Sequence, residues 1–282
     1  ATQMRYLAPY NLNFFKASDK AFGNSQIFYN LVYPELVANN ITPEVFRKFN
    51  RKIEYSPETE EVFKNNGLNG SERFITFYLN ADSPFAEENE FSSEKAALEA
   101  SHVGLVNWFL DQGIKVLFFG DFDLFKSFER PGFIDVRKMN PSFDCQLAFL
   151  SRALFYFGSN SGYYHFSNSI GVPSLLSHSF VSEIRGNTLG NCRAYFFRDT
   201  LKKISLSRLV ENGLCLFYSR NALTKNGIGV SNPTFDETLR SGQNMLEYLD
   251  NGQIRRLNVE QKSKLEEASI IGHLTEASLE RL

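Results

Sequence analysis

Tryptophan occurs once and cysteine three times in 282 residues. Cys145, Cys192 and Cys215 are far apart and odd in number, and no C-x-x-C pair occurs. The usual spacing of a structural zinc site is therefore missing, and reduced thiols in a cytoplasmic protein are the simplest expectation. No run of about 18 apolar residues is present, which argues against a membrane-spanning helix. Positive charge has no surplus either: 30 Lys and Arg face 32 Asp and Glu, giving a net charge of −2. A protein that grips duplex nucleic acid normally carries a basic excess to neutralise phosphates, so nucleic acid is not an expected partner. The Walker A pattern is absent, which excludes a P-loop nucleotidase. A nucleophile elbow needs glycine two residues before its serine, whereas Gly158 stands three before Ser161. There is no internal repeat and no low-complexity tract. The chain opens Ala1-Thr2-Gln3-Met4, without initiator Met or signal-peptide pattern, and reads as a piece of a longer chain.

What is present is a globular composition. Hydrophobic residues make up 43% and charged residues 22%, with 28 Phe, enough for a well-buried core. Residues 1–58 mix aromatics, Asn and Pro and read as a helical N-terminal segment, the end of a preceding domain. From 59 to 250 the pattern alternates. Residues 57–66 form a helix candidate closed by Gly67, a natural left-handed cap. Residues 74–79 and 115–119 are short aromatic and β-branched runs that predict buried strands. Between them, residues 93–112 place Ala96, Ala100, Val103, Val106 and Leu110 near one helical face, with Gly113 as terminator. Residues 134–136, 154–157 and 174–176 continue the strands. Residues 141–152, 165–170, 206–212 and 236–249 continue the helices. This alternation predicts an α/β, Rossmann-like, mostly parallel sheet flanked by helices. Residues 251–282 read as a helical tail, with 259–282 as one amphipathic helix packing on its own chain.

The strongest local signal is Leu154-Phe-Tyr-Phe-Gly158-Ser159-Asn160-Ser161-Gly162-Tyr163-Tyr164-His165, followed by Gly171-Val172-Pro173. It is a hydrophobic strand, a turn of small residues and a helix start. Backbone amides at a helix N-terminus favour an anion; Ser159 and Ser161 add hydroxyls, and Gly162 permits close approach of a phosphate. In open α/β sheets ligands sit outside the carboxyl ends of the strands. A plain tight turn is the competing reading of the same residues.

The pattern strand–Gly-Ser-x-Ser-Gly-x-x-His–x5–Gly-x-Pro resembles the donor-site signature of heptosyltransferase-like glycosyltransferases, and is closer still to a related family of bacterial glycosyltransferases. Glu72 to Leu79 resembles the first strand of that family's C-terminal half. Gly113-Ile-Lys-Val-Leu-Phe-Phe-Gly120-Asp121 resembles its second strand, which ends in Gly-Asp. Asp144-Cys-Gln-Leu147 and Asn232-Pro-Thr-Phe-Asp-Glu-Thr-Leu239, with Met245-Leu246, resemble its helix before the signature and its closing helix. Together these stretches cover residues 57–250. The resemblance implies the C-terminal, donor-binding half of a GT-B fold. It implies that Ser159, Asn160, Ser161 and Gly162 cradle the diphosphate, that Tyr163 belongs to the donor site, that His165 lies near the phosphates or the sugar, and that Gly120 and Asp121 line the nucleoside pocket. No metal or other cofactor is implied beyond the nucleotide-sugar substrate, and the catalytic base is expected in the facing N-terminal domain. Two departures stand out. Asn160 replaces an acidic residue of heptosyltransferases, and the first strand ends Tyr78-Leu79-Asn80-Ala81-Asp82 without the arginine common in the related family.

Asp82, beside Glu87 and Glu88, is a weak candidate base and reads first as part of a solvated acidic loop. His165 is the other weak catalytic candidate. Arg198, Lys202 and Lys203 read as a cationic surface with diphosphate contact as the alternative. Tyr163 and Tyr164 are either stacking platforms or packing anchors. His102 reads as a core or surface residue, and His178 stays open. The function expected is transfer of a sugar from a nucleotide donor to a glycan or lipid-linked acceptor in cell-surface polysaccharide synthesis, in the cytoplasm at the inner face of the membrane. The alternatives are a degenerate nucleotide- or glycan-binding module and a sugar-nucleotide epimerase of similar fold.

Overall fold

A computed structural model describes residues 57–251, apart chiefly from 80–90, 121–124, 181–187 and 213–219, together with 273–274. The N-terminal segment, Asp82 and Asp121 lie outside the described residues. Helix α1 spans Pro57–Asn65, β1 Phe74–Tyr78, α2 Phe91–Asp111, β2 Lys115–Phe118 and β3 Phe133–Asp135. Then come α3 Phe143–Arg152, β4 Tyr156–Gly158, α4 Gly162–Ser169, β5 Ser174–Ser179 and β6 Thr188–Cys192. The chain continues through β7 Ala194–Phe197, α5 Arg220–Lys225, β8 Ile228–Ser231, α6 Phe235–Asn251 and β9 His273–Leu274.

Local chemistry sets these boundaries. Gly67 and Gly113 both adopt positive φ, 66° and 72°. After α1, Gly67 N–H donates to Lys64 O and Leu68 N–H to Phe63 O; after α2, Gly113 and Ile114 repeat the pattern on Leu110 and Phe109. These are paired C-terminal caps that satisfy the last carbonyls of each helix, and each is followed directly by an apolar residue packed back on the core. Ser142 caps α3 through the amide of Cys145. Thr234 and Glu237 form a reciprocal capping box at the start of α6.

The seven-stranded sheet has the order β3-β2-β1-β4-β5-β6-β9, and every pair in it is parallel. Strands β7 and β8 form a separate antiparallel pair. The fold is thus a mostly parallel α/β sheet with flanking helices, Rossmann-like in its order. Phenylalanines fill one face: Phe77, Phe118, Phe155 and Phe157 pack with Leu105 and Phe109 of α2 and Met245 of α6. Against the other face, Phe63, Phe74 and Phe149 pack near α1 and α3, while Tyr156, Tyr164 and Leu176 pack near α4.

Three differences from the sequence reading have physical causes. Strands β6 and β7 lie between the strand expected at 174–176 and the helix expected at 206–212, and β8 lies between the helices expected at 206–212 and 236–249, where no strand was expected. β6 is Thr-Leu-Gly-Asn-Cys, whose glycine and asparagine suppress the local strand signal and whose order comes from pairing with β5. The continuous helix expected over 259–282 is interrupted, because His273–Leu274 pairs with β6 and supplies partners for a strand edge. The signature strand ends at Gly158 and its helix begins at Gly162, three residues earlier than expected, because Ser161 is a working cap.

Candidate functional site

Chain order reverses between β1 and β4: β1 connects outward through α2 to β2, and β4 outward through α4 to β5. The two connections diverge, and in open α/β sheets the crevice between such connections, at the carboxyl ends of the strands, is where ligands bind. Register puts Tyr78 opposite Gly158, and Gly158 opposite Leu176. The Gly158–Gly162 turn therefore sits at that crevice.

Two glycines close on the end of β1 from opposite sides. A Cβ on Gly158 would lie 1.9 Å from Tyr78 O, and one on Gly120 would lie 2.3 Å from Leu79 O. Gly158 also holds φ 145°, a region suited to glycine. Ser159 N–H donates to Tyr78 O at 3.0 Å, stitching the turn to β1. The structure thus gives Gly120 a role in packing the ends of β1 and β2.

Tyr156 organises the turn from below. Its hydroxyl donates to Ser159 O at 2.7 Å and lies 2.9 Å from Ser161 Oγ. A phenol has one proton, so with that proton on Ser159 O the Ser161 hydroxyl donates to Tyr156. Ser161 Oγ also accepts from Tyr164 N–H at 3.3 Å as the cap of α4. Its proton is therefore engaged within the fold, and Ser161 acts by shaping the helix start. The α4 ladder begins with His165 N–H on Ser161 O. Gly162 is exposed. Ser159 Oγ is a buried atom with no hydrogen-bond partner. Burial pushes the Tyr156 phenol well above its ordinary value, so it stays neutral.

Tyr163 is a packing anchor: its ring lies 5.1 Å from Tyr78 and 5.4 Å from Phe119, and its hydroxyl donates to Gln146. Tyr164 is fully buried with its hydroxyl 3.1 Å from Thr188 Oγ1. His165 is half-buried beside the Tyr164 ring, one turn into α4. Asn160 stays in the turn, partly exposed. Arg198, Lys202 and Lys203 belong to the β7 hairpin, where Phe197 N–H donates to Lys202 O and Arg198 N–H to Gly227 O. A groove of about 560 Å³ lies near β3, lined by residues that include Asn66, Arg130 and Lys138. No residue of the turn lines it, and β2 separates β3 from the crevice.

Sequence reasoning missed a polar cluster at the end of β5. His102 of α2 and His178 of β5 both lie 2.8 Å from Ser177 Oγ, through Nε2 and Nδ1 respectively. The three residues are between 1% and 7% exposed. Burial, then the neighbouring His102 and Arg193, hold the His178 imidazole well below its ordinary value. The available signal was composition: β5 is buried along its whole length, yet reads Ser-Leu-Leu-Ser-His-Ser.

Among the described residues, no helix is long and apolar enough to cross a membrane. No family model, curated protein or solved structure matches the chain.

Proposed function

We propose that residues 59–250 form the donor-nucleotide domain of a GT-B-type glycosyltransferase. The reaction moves a sugar from a nucleotide donor to a glycan or lipid-linked acceptor in cell-surface polysaccharide synthesis. The observation that carries this reading is the position of the Gly158–Gly162 turn. It lies at the topological switch point and leads directly into the start of α4. The helix dipole and first-turn amides there stabilise a leaving diphosphate, which is the charge that grows as the glycosidic bond breaks. A base from a facing domain takes the acceptor proton. With a lipid-linked acceptor, the enzyme works at the inner face of the membrane.

The test is thermal stabilisation of the chain by UDP-, GDP-, ADP- and CDP-sugars without metal. Binding to the folded state raises the melting temperature by mass action. One nucleotide class is expected to stabilise the wild type and to lose its effect on Gly162→Leu, which fills an exposed position at the first residue of α4. Stabilisation that survives Gly162→Leu would refute the site.

A second reading is a binding module without turnover. It is favoured by the missing arginine after β1 and by the engagement of the Ser161 hydroxyl within the fold. Binding of donor without release of free nucleotide in the presence of acceptor supports it, and appearance of an epimerised sugar without acceptor supports an epimerase instead.

A further inference from the structure

Successive side chains of a strand point to opposite faces, yet Ser177 and His178 both reach His102 on the α2 side. Ser177 Oγ bonds it, and the His178 ring stands edge-on to it with centroids 5.0 Å apart. The cause is a bulge. Leu176 pairs with Gly190 and Ser179 with Cys192, so three steps of β5 match two of β6. His178 absorbs the extra residue with φ 39°, a left-handed conformation that is uncommon outside glycine and carries strain. Bulges of this kind re-aim a side chain. Here the re-aimed imidazole sits two residues beyond Leu176, level with the Ser159–Asn160 turn, because Leu176 pairs with Gly158.

Behind it the support is rigid. His102 lies stacked against Phe77 and Phe157 at 5.9 and 5.6 Å. Ser177 has one proton and sits between two ring nitrogens, so it donates to one ring and accepts from the other. In either arrangement His178 Nε2 is left over: it is an acceptor where Nδ1–H donates to Ser177, and a donor where Ser177 donates to Nδ1. The His178 ring has no second hydrogen bond among the described residues.

We propose that His178 recognises a hydroxyl of the donor's sugar, a group that both donates and accepts, by a hydrogen bond at Nε2, with Ser177 and His102 as positioning residues. This rests on the nucleotide-sugar reading above. The group serves as a neutral hydrogen-bonding partner and not as an acid or base, because a protonated ring here would place a charge beside His102 and Arg193 in a desolvated setting. His178→Asn is the informative variant. Asparagine tolerates positive φ and keeps a polar atom near the Nδ1 position while deleting Nε2.

The experiment measures the affinity of the full chain for nucleotide sugars and for the matching nucleoside diphosphates, and follows the histidine ring resonances of the wild type by NMR. The expected result is a roughly five- to tenfold weaker nucleotide-sugar Kd in His178→Asn, the scale of one neutral hydrogen bond. The diphosphate Kd stays unchanged, and the wild-type His178 resonance moves with the sugar but not with the diphosphate. If the sugar nucleotide binds while that resonance stays still, or if both affinities change equally, the inference fails and the donor site stands. If no nucleotide binds, the donor reading falls and takes this inference with it. The wild-type resonances decide the matter even where the variant does not fold.

Discussion

The α2/α6 face of the sheet and the part of the opposite face under α4 differ in their aromatics. The α2/α6 face is a phenylalanine face: Phe77 packs on Phe118, Phe125 and Phe157 with centroids 4.7 to 5.3 Å apart. The face under α4 holds tyrosines, whose hydroxyls end on named partners: Tyr156 on Ser159, Tyr163 on Gln146, Tyr164 on Thr188. Phenylalanine packing is strong but non-directional. A tyrosine brings similar buried area plus a bond of fixed direction. Stability on this reading comes mainly from the first face, and the exact shape of the Gly158–Gly162 turn from the second.

The sharpest way to break the junction of the two faces is Gly158→Ala. The new Cβ would overlap Tyr78 O at 1.9 Å at a φ of 145°. We expect a loss of about 5 kcal/mol, from combined overlap and backbone strain, measured as a fall in the urea midpoint or as failure to fold. Phe157→Ala tests the phenylalanine face. It removes a fully buried ring and should cost about 4 kcal/mol. A nucleoside diphosphate bound by the folded fraction should keep its affinity.

Tyr156→Phe tests the tyrosine face. It keeps the ring and deletes the hydroxyl that holds Ser159 O and Ser161 Oγ. A smaller loss of about 1.5 kcal/mol is expected, accompanied by weaker nucleotide binding; a stability loss as large as that of Phe157→Ala would erase the distinction. Ser161→Ala should cost about 1 kcal/mol through the lost cap, read from the same denaturation curves.

The polar island on the phenylalanine face has its own pH signature, smaller in the neutral range. The folded value of His178 lies below its unfolded value of about 6.5. The unfolded chain therefore takes up the proton first, so stability falls as pH drops below about 6.5 toward the folded value, and is fully present above it. His178→Asn should flatten that part of the stability–pH curve. An unchanged slope would show that His178 does not supply it.

Much of this arrangement was legible in the residues. Glycines at 67 and 113 bracket helices whose apolar spacing is clear, and the runs at 74–79 and 115–119 carry enough Phe, Ile, Val and Leu to announce buried strands. The turn at Gly158 was legible as a small-residue strand-to-helix joint. What escaped depends on pairing between distant segments. Thr188–Cys192 becomes a strand because β5 lies beside it, and His273–Leu274 because β6 does. A bulge cannot be read from Ser177-His178-Ser179, so nothing local places two successive side chains on one face. His102, a single histidine among apolar helix residues, gains meaning only from a partner 75 positions away.

Among the described residues the sheet terminates in β3, three residues long, on one side and β9, two residues long, on the other. Short outermost strands expose few unpaired amides and carbonyls, so neither end offers a template long enough to recruit a strand from another molecule. For a chain so rich in phenylalanine, brevity at the borders of the sheet is a safeguard against ordered aggregation at high concentration.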